Sequence, residues 1–439
     1  MDDDLDPVAH APPDQDRGGA VDAGFVHANL RRNTIANFAH GMLGMTGFRL
    51  IAAPTFVPSY IFTLTGSSFA VGLAQALQQA GSVISPLRSA SAIEDKLLIM
   101  PYARRTGMAM RLPLVVMAVA GWLMSGYSSP NWSLAIITIA ALCVFGYFSG
   151  AQRVAFQMLM AKVIPLEVRG RLQGQRNFWG GAIAAALSWW AGSTLIQNKV
   201  LGNGYATTFA ISFVLTSLGL AILVLVLREP ESRALRPTMR LRQRLRDLPK
   251  LLENRNYKEF LRAQLVAMIG RTAITFCVLY AGDRMQLTGV TLGLLSFAFL
   301  AADTVSNLVW GAIGDRQGFR LVLLLSLALW AVGYVLVLLA VSLAGFIAAF
   351  AALGAAISGY MIAAQTLVLE FGRHDDIPMR LALSATVETS VASAGPLIGG
   401  AVAALVGLQP VIEFSLGAMV LAVIIVWRRV GEPRSVHQG

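Results

Sequence analysis

Long runs of apolar residues follow one another along the chain, separated by short polar segments; residues 205–227 and 319–340 are two examples. An α-helix rises 1.5 Å per residue, so about 20 apolar residues cross the hydrocarbon core of a bilayer. The two-residue alternation typical of membrane β-barrel strands is absent from the sequence. We therefore predict an all-α integral membrane protein with twelve transmembrane helices, called spans 1 to 12 in chain order: 36–62, 69–91, 107–127, 133–158, 177–197, 205–227, 259–281, 290–312, 319–340, 343–370, 379–404 and 408–428.

The composition agrees with this pattern, because 56% of the 439 residues are hydrophobic and 13% are charged, which is too apolar for a water-soluble chain. The net charge of +11 would suit a nucleic-acid ligand, but the positive residues concentrate in alternate loops. Lys and Arg number five, five and eleven in segments 88–111, 152–176 and 228–262, whereas the intervening loops hold only Lys199 and Arg284. The positive-inside rule then predicts that both termini are cytoplasmic. We expect a multi-pass protein of the inner (cytoplasmic) membrane that contacts lipid and no nucleic acid.

Short motifs recur at constant offsets and divide the chain into two related halves. Two motifs recur 220 residues later: Thr55-Phe56 with Tyr60 recurs as Thr275-Phe276 with Tyr280, and Ala92-Ile93-x-Asp95 recurs as Ala312-Ile313-x-Asp315. A motif of span 4 recurs 213 residues later, where Gly146-Tyr147 with Gln152 becomes Gly359-Tyr360 with Gln365. Six helices in each half is the economical interpretation. Because six is even, both halves have the same orientation in the membrane.

The repeat and the local composition together divide the chain into five predicted segments. Residues 1–33 are rich in Asp, Pro and Gly and form a disordered acidic cytoplasmic tail. Residues 34–228 and 259–429 form the two six-helix bundles, joined by a basic cytoplasmic linker at 229–258. Residues 430–439 form a second cytoplasmic tail.

The loop after span 8 carries a signature, Gly311-Ala-Ile-Gly314-Asp315-Arg316-Gln-Gly318-Phe-Arg320. It resembles the G-x-x-x-D-R-x-G-x-R loop motif of the major facilitator superfamily, and Pro165-x-x-x-Arg169-Gly170-Arg171 resembles the loop between that family's fourth and fifth helices. Glycines permit tight turns and close helix packing, and a carboxylate can sit at a helix N-terminus. The resemblance implies two pseudo-symmetric bundles and a conformational lock at the inner gate that is formed by Asp95, Arg169, Arg171, Gly311, Asp315, Arg316, Gly318 and Arg320.

A second motif, Gly395-Pro396-x-x-Gly399-Gly400 in span 11, looks like one that the family's drug and proton antiporters carry in their fifth helix. Span 5 of this chain contains no proline. We therefore interpret residues 395–400 as a bent, close-packed contact between helices.

Among the ionisable residues inside the predicted spans, Arg49, Arg271, Asp303 and Glu388 stand out. Arg49 lies about thirteen residues, or roughly 20 Å, from each end of its span, farther than a side chain reaches by snorkelling. It therefore needs an internal partner or a ligand. Asp303 and Glu388 are the candidates for carrying a coupled proton. An ion pair between Arg271 and Asp303, on consecutive spans, is an alternative explanation for both residues.

The family resemblance implies a central cavity lined by spans 1, 4, 7 and 10, which hold the candidate substrate-binding residues Arg49, Gln152, Arg271 and Gln365. At 100° per residue, Arg49, Phe56 and Tyr60 fall on one stripe, a cation, a ring and a hydroxyl suited to an anionic or aromatic solute. Arg153 and Gln157 also share a face, nearer the cytoplasmic end, where gate or headgroup contacts are equally expected.

The two arginines are not symmetric partners. The offset of 220 maps Arg49 onto Ile269, and the two-residue shift to Arg271 rotates a helical side chain by 200°. We expect one arginine, preferably Arg49, to face the cavity unless Pro54 and Pro58 rewind the first helix. A structural charge pair is the alternative to a cavity role.

No phosphate-binding glycine loop, metal-ligand cluster or nucleophile triad occurs in the sequence, so we expect no enzyme, cofactor or metal. We expect a monomeric secondary active transporter whose partners are a small organic solute and protons. Symport of an organic anion with protons is preferred over proton-coupled efflux of amphipathic or drug-like compounds. A non-transporting membrane sensor or assembly factor is the alternative from another class.

Overall fold

The computed structural model describes residues 23–93, 96–126, 130–231, 252–371 and 377–432. All the regular elements in this part of the chain are helices. Nine helical segments there are long and apolar enough to cross a membrane, and the predicted spans 1, 2 and 5 are helical as well. The all-α membrane architecture is confirmed, while the count of twelve spans and the cytoplasmic termini stay predictions.

The first half contains six helical regions in the predicted places. Span 1 is divided into Ala23–His40, a π-helical turn Gly41–Met45, Thr46–Ala52 and Phe56–Thr65. The others are Ser68–Ile93 (span 2), Met100–Leu123 (span 3), Trp132–Val163 (span 4), Leu166–Trp190 with a π-helical turn Ala191–Ile196 (span 5), and Gly204–Val226 (span 6), which a short 3₁₀ turn Val200–Gly202 precedes.

The second half repeats this plan. Span 7 is divided into Arg255–Gly270, a 3₁₀ segment Arg271–Thr275 and Cys277–Arg284. The remaining helices are Gly289–Gln317 (span 8), Phe319–Leu339 (span 9), Leu343–Glu370 (span 10), Ile377–Val406 (span 11) and Leu408–Arg429 (span 12).

The first helix begins at Ala23, inside the segment predicted to be a disordered tail, so the boundary at residue 33 is wrong. Hydrogen bonds to the end of span 6 stabilise this extension. Asn33 donates its side-chain amide to the carbonyl of Arg228 at 2.9 Å and accepts from the Arg228 amide at 2.8 Å. The charge pattern could not reveal this contact, because its partner lies 195 residues away in the chain.

Spans 1 and 7 break at equivalent positions of the repeat. In span 1, Ala53 takes extended torsion angles (φ −57°, ψ 137°) and the helix restarts at Phe56, because Pro54 has no amide to donate. In span 7 the helix tightens to 3₁₀ geometry, and the Tyr334 hydroxyl donates to the Gly270 carbonyl at 2.7 Å. Both breaks therefore include the threonine of a Thr-Phe motif, at mid-depth, where irregular backbone is tolerated only beside protein or a cavity.

The two halves pack against each other at the end of the molecule that the charge pattern predicts to face outward. Span 2 lies on span 11 and span 5 on span 8. A Cβ on Gly72 would collide with the backbone of Pro396 and Gly400, and one on Gly192 would collide with Gly293. The predicted close packing of residues 395–400 is therefore confirmed, and this end is closed by backbone-to-backbone contact.

A substitution at this contact should open the outer end. We expect Gly192→Val to shift the population toward outward-open forms, because an overpacked contact costs about 1–3 kcal/mol. In a Cys143→Ser background, maleimide labelling of Ser59→Cys, a buried position under the outer end, should become at least about fivefold faster. Gly417→Val is the matched control, since a Cβ at Gly417 meets no atom within 4 Å. Equal labelling rates in the two variants would contradict the closure described here.

Candidate functional site

A central cavity of about 200 Å³ lies between the two halves, beside the breaks in spans 1 and 7. Polar side chains on its wall come from both halves, and apolar groups complete it; the lining comprises Ala52, Pro54, Gln75, Gln79, Met268, Arg271, Thr272, Ile274, Thr275, Phe299, Ile357, Val391, Ala392 and Pro396. A pocket at an interface between bundles, mostly apolar with a few polar groups, has the form of a small-molecule site.

Arg271, and not Arg49, lines this cavity. The helical wheel assumed continuous α-helices, whereas a π-helical turn at 41–45 precedes Arg49 in span 1 and span 7 changes to 3₁₀ geometry from Arg271 onward. Arg271 lies 3.7 Å from the Glu388 carboxylate of span 11. That distance is longer than a charge-assisted hydrogen bond, so it leaves the guanidinium donors available to a ligand.

Arg49 instead joins the two halves. Its guanidinium donates to the Asp303 carboxylate at 3.0 Å and to the Thr304 hydroxyl at 3.2 Å, both in span 8. The Arg49 and Asp303 side chains are 22% and 19% exposed. Gly181 of span 5 faces the same contact, where a Cβ would collide with Arg49 and Thr304. The pair between Arg271 and Asp303 that the sequence suggested is wrong, because each arginine has its own carboxylate.

Phe56 and Tyr60 do not share a stripe with Arg49. Phe56 is fully buried, and Tyr60 is buried against Tyr205 with ring centroids 4.9 Å apart. Asn203 donates to the Tyr60 hydroxyl at 3.4 Å. The predicted stripe assumed a continuous helix, whereas the break at 53–55 reorients everything that follows it.

The two glutamines of the repeat have different surroundings. Gln152 is buried inside the first half, where it accepts a hydrogen bond from the Thr106 hydroxyl at 2.7 Å. Gln365 is exposed on span 10. Neither lines the central cavity, so the sequence repeat does not extend to the roles of these two side chains.

The glycines of the predicted inner lock have distinct environments. Gly318 has a positive φ of 90° and makes the turn between spans 8 and 9. Gly314 packs on Phe319, so a Cβ there would collide with the ring, whereas a Cβ on Gly311 would meet open space. The need for glycine at the turn and at the close contact is confirmed, but not at Gly311.

The arginines of the same signatures hold helix ends. Arg169 donates to the carbonyls of Ala161 and Ile164 at the end of span 4, and Arg320 donates to the Trp427 carbonyl at the end of span 12. Cations are favoured at helix C-termini because the carbonyls there carry partial negative charge. The remaining members Arg171, Asp315 and Arg316 are exposed, and Asp95 lies outside the described residues.

A buried ion pair that the sequence did not indicate connects the inner ends of the first half. Glu229 lies 2.8 Å from the Lys162 ammonium, and both side chains are about 5% exposed or less. The Glu229 carboxylate also accepts from the amides of Ile99 and Met100 at 2.7 and 2.8 Å, at the start of span 3. An acidic residue directly after span 6 was the available signal, but its partners are 67 and 130 residues away.

A second cavity, of about 650 Å³, lies at the inner ends of spans 4 and 5. We call it the inner cavity. Its lining is cationic, amide-bearing and partly apolar, and consists of Arg153, Phe156, Gln157, Met160, Arg169, Gly170, Gln173 and Arg176. Arg153, Gln157 and Gln173 are exposed, so the inner cavity opens at the predicted cytoplasmic end.

Solved structures with this arrangement are transporters. The nucleoside transporter NupG has a TM-score of 0.63 at 13% identity, with 90% of this chain and 98% of that chain covered. The D-xylose-proton symporter has a TM-score of 0.67 at 14% identity, with 92% and 99% covered. A bacterial homologue of the iron transporter ferroportin, in its inward-facing state, has a TM-score of 0.61 at 13% identity, with 92% and 99% covered.

The sequence itself provides the second line of evidence. No curated protein sequence matches the chain. The family model described as Major Facilitator Superfamily matches residues 260–439, which is the half whose signature loop is the better preserved. This match and a fold shared with transporters over both halves agree with the resemblance carried by the loop signatures.

Proposed function

We propose that this protein is a secondary transporter that carries a small organic anion together with protons across the membrane by alternating access. The observation that supports the substrate class best is Arg271 in the wall of the central cavity. A guanidinium offers several fixed N–H donors and matches the geometry of a carboxylate or phosphate. Gln75, Gln79 and Thr272 supply uncharged hydrogen-bonding groups around it.

The position of Glu388 fits a ligand that competes for Arg271. An ion pair at 3.7 Å compensates the arginine's charge in the empty cavity without occupying its donors. An incoming anion can make shorter hydrogen bonds to the same guanidinium. Glu388 is then repelled, and binding a proton relieves that repulsion. Anion binding and proton binding thereby favour each other at this site.

The pair of Arg49 and Asp303 fits the second requirement of symport, a link between protonation and movement of the halves. It crosses from span 1 to span 8, so the halves cannot separate at this depth without breaking it. A proton on Asp303 removes the negative charge and weakens the pair. The released Arg49 guanidinium then needs a new counterion, and an anion in transit supplies one.

The overall geometry suits alternating access. The glycine contacts close the outer end, and the inner cavity is open. Rocking of the two bundles around a midplane site would open the outer end and close the inner end. The D-xylose-proton symporter, whose title names proton coupling, has the same fold. We propose the same coupling ion here.

Efflux of an amphipathic or drug-like compound is the second candidate. Met268, Phe299, Ile357 and Val391 form an apolar side of the central cavity. Such a wall suits a ligand with a hydrocarbon portion. The arginine still favours an anionic group on that ligand.

Uptake into proteoliposomes tests the substrate class. We expect organic anions to accumulate when a proton gradient is imposed, and Arg271→Gln to raise the KM at least about tenfold, because a hydrogen bond to a charged group is worth about 1.5–3 kcal/mol. Arg262→Gln, on the same span but with a half-exposed side chain, is the matched control and should behave like wild type. Absence of flux for a broad panel of carboxylates and organic phosphates would refute the proposal.

Replacement of Asp303 tests the coupling. We expect Asp303→Asn to abolish accumulation driven by a proton gradient while anion exchange across the membrane continues, because the amide cannot carry the proton. Asp283→Asn, at the exposed outer end of span 7, serves as the control. Proton-driven accumulation that survives in the Asp303 variant would show that the proton is carried elsewhere.

A double-mutant cycle tests the connection between the halves. Arg49→Gln and Asp303→Asn should each lower the free energy of unfolding, and together they should lower it by about 1–3 kcal/mol less than the sum, because they share one interaction. The exposed pair Gln409 and Glu413 on span 12, 2.8 Å apart, should show a coupling of at most about 0.5 kcal/mol. Additive effects at Arg49 and Asp303 would show that this pair does not hold the two halves together.

A further inference from the structure

We propose that the inner cavity is a binding site for a multiply charged organic oxyanion, such as a di- or tricarboxylate or a phosphorylated organic acid, on its way between the cytoplasm and the central cavity. The inference rests on the proposed anion transport and narrows its substrate class. Its residues are distinct from those of the central cavity, since no residue lines both.

The charge of the lining is uncompensated. Arg153, Arg169 and Arg176 line the cavity, and none of its described lining residues is acidic. Between residues 96 and 228 of the sequence, Glu167 is the single carboxylate; it is exposed and stands outside the lining. By contrast, Lys162 nearby is neutralised by Glu229. Three guanidinium groups therefore share one space with no counterion from the described protein.

Arg176 is held in place for a ligand. It is 6% exposed, donates to the Asn37 side chain at 3.0 Å and lies over the Phe156 ring at 4.9 Å. Its Nε is buried and has no hydrogen-bond partner among the described residues. A buried donor without a protein partner is unfavourable, which favours a ligand acceptor at Arg176, a residue of the cavity wall. Gln157 and Gln173 add amide donors.

The position of the cavity places it on the route to the central site. Arg176 precedes Gly181 by five residues on span 5, a rise of about 7.5 Å. Gly181 touches Arg49 and Thr304. Under this proposal, an anion that moves from the inner cavity along span 5 approaches the pair of Arg49 and Asp303, the contact that must open for the halves to separate.

The number of arginines determines the class of ligand. A monocarboxylate would balance one of three positive charges, whereas a di- or tricarboxylate or a phosphate ester balances two or three. A phosphate could also come from the headgroup of an anionic lipid in the inner leaflet. The shared chemistry is that of an oxyanion, and the experiment must separate a soluble ligand from a lipid.

Calorimetric titration of the full-length protein in phosphatidylcholine nanodiscs tests the site with citrate, glycerol 3-phosphate and acetate as probes. We expect citrate or glycerol 3-phosphate to bind at least about tenfold more tightly than acetate. Arg153→Gln and Arg176→Gln should each weaken that binding at least about tenfold. Arg104→Gln, an exposed arginine on span 3 outside the cavity, should leave it unchanged. Arg153 is exposed, so its variant tests the site without disturbing buried packing.

The outcomes separate this site from the transport proposal. Wild-type affinity in Arg153→Gln and Arg176→Gln, alongside uptake that still depends on Arg271, overturns the inner site and leaves anion transport standing. Arginine-dependent binding of citrate without any anion flux supports the site and refutes the transport proposal. In phosphatidylglycerol nanodiscs, retention of the lipid that depends on Arg153 while neither polyanion binds would identify a headgroup as the occupant and overturn the proposal.

Discussion

The hydrocarbon core offers no water to polar groups, so each backbone amide and each charge at mid-depth must find its partner within the protein. This constraint explains why the described elements are helices and why spans 1 and 7 break only beside a cavity. It also explains the pairing of charges. Arg49 lies against Asp303 and Arg271 against Glu388, because a lone guanidinium at that depth would be far more costly than a pair.

The two pairs differ in a way that matters for mechanism. Arg49 and Asp303 belong to different halves, whereas Arg271 and Glu388 both belong to the second half. Movement of the halves breaks the first pair and leaves the second intact. The pair of Arg49 and Asp303 can thus link the separation of the two halves to the charge on Asp303. The pair of Arg271 and Glu388 can respond to a ligand in the central cavity. The outer ends need no charged lock, because Gly72 and Gly192 let backbones meet directly there.

The distribution of carboxylates gives the halves unequal roles. The membrane carboxylates Asp303 and Glu388 are in the second half, and the inner cavity with its three arginines is in the first. In the proposed function, an anion therefore meets arginines in the first half and carboxylates in the second. The repeat that relates the halves in sequence is a repeat of helix positions and breaks, and the chemistry on it has diverged.

The sequence by itself determined the membrane class, the helical architecture, the two-part repeat and the turn at Gly318, because these follow from local length, periodicity and backbone freedom. It also identified Arg49, Arg271, Asp303 and Glu388 as candidates, since a charge inside an apolar run can be seen in the sequence. The tertiary structure decided which charges pair, that Arg271 rather than Arg49 lines the central cavity, and that Phe56 and Tyr60 pack away from it. The packing of Phe56 and Tyr60 depends on a break that rotates the residues after it. The pair of Arg49 and Asp303 joins residues 254 positions apart, which no local pattern records.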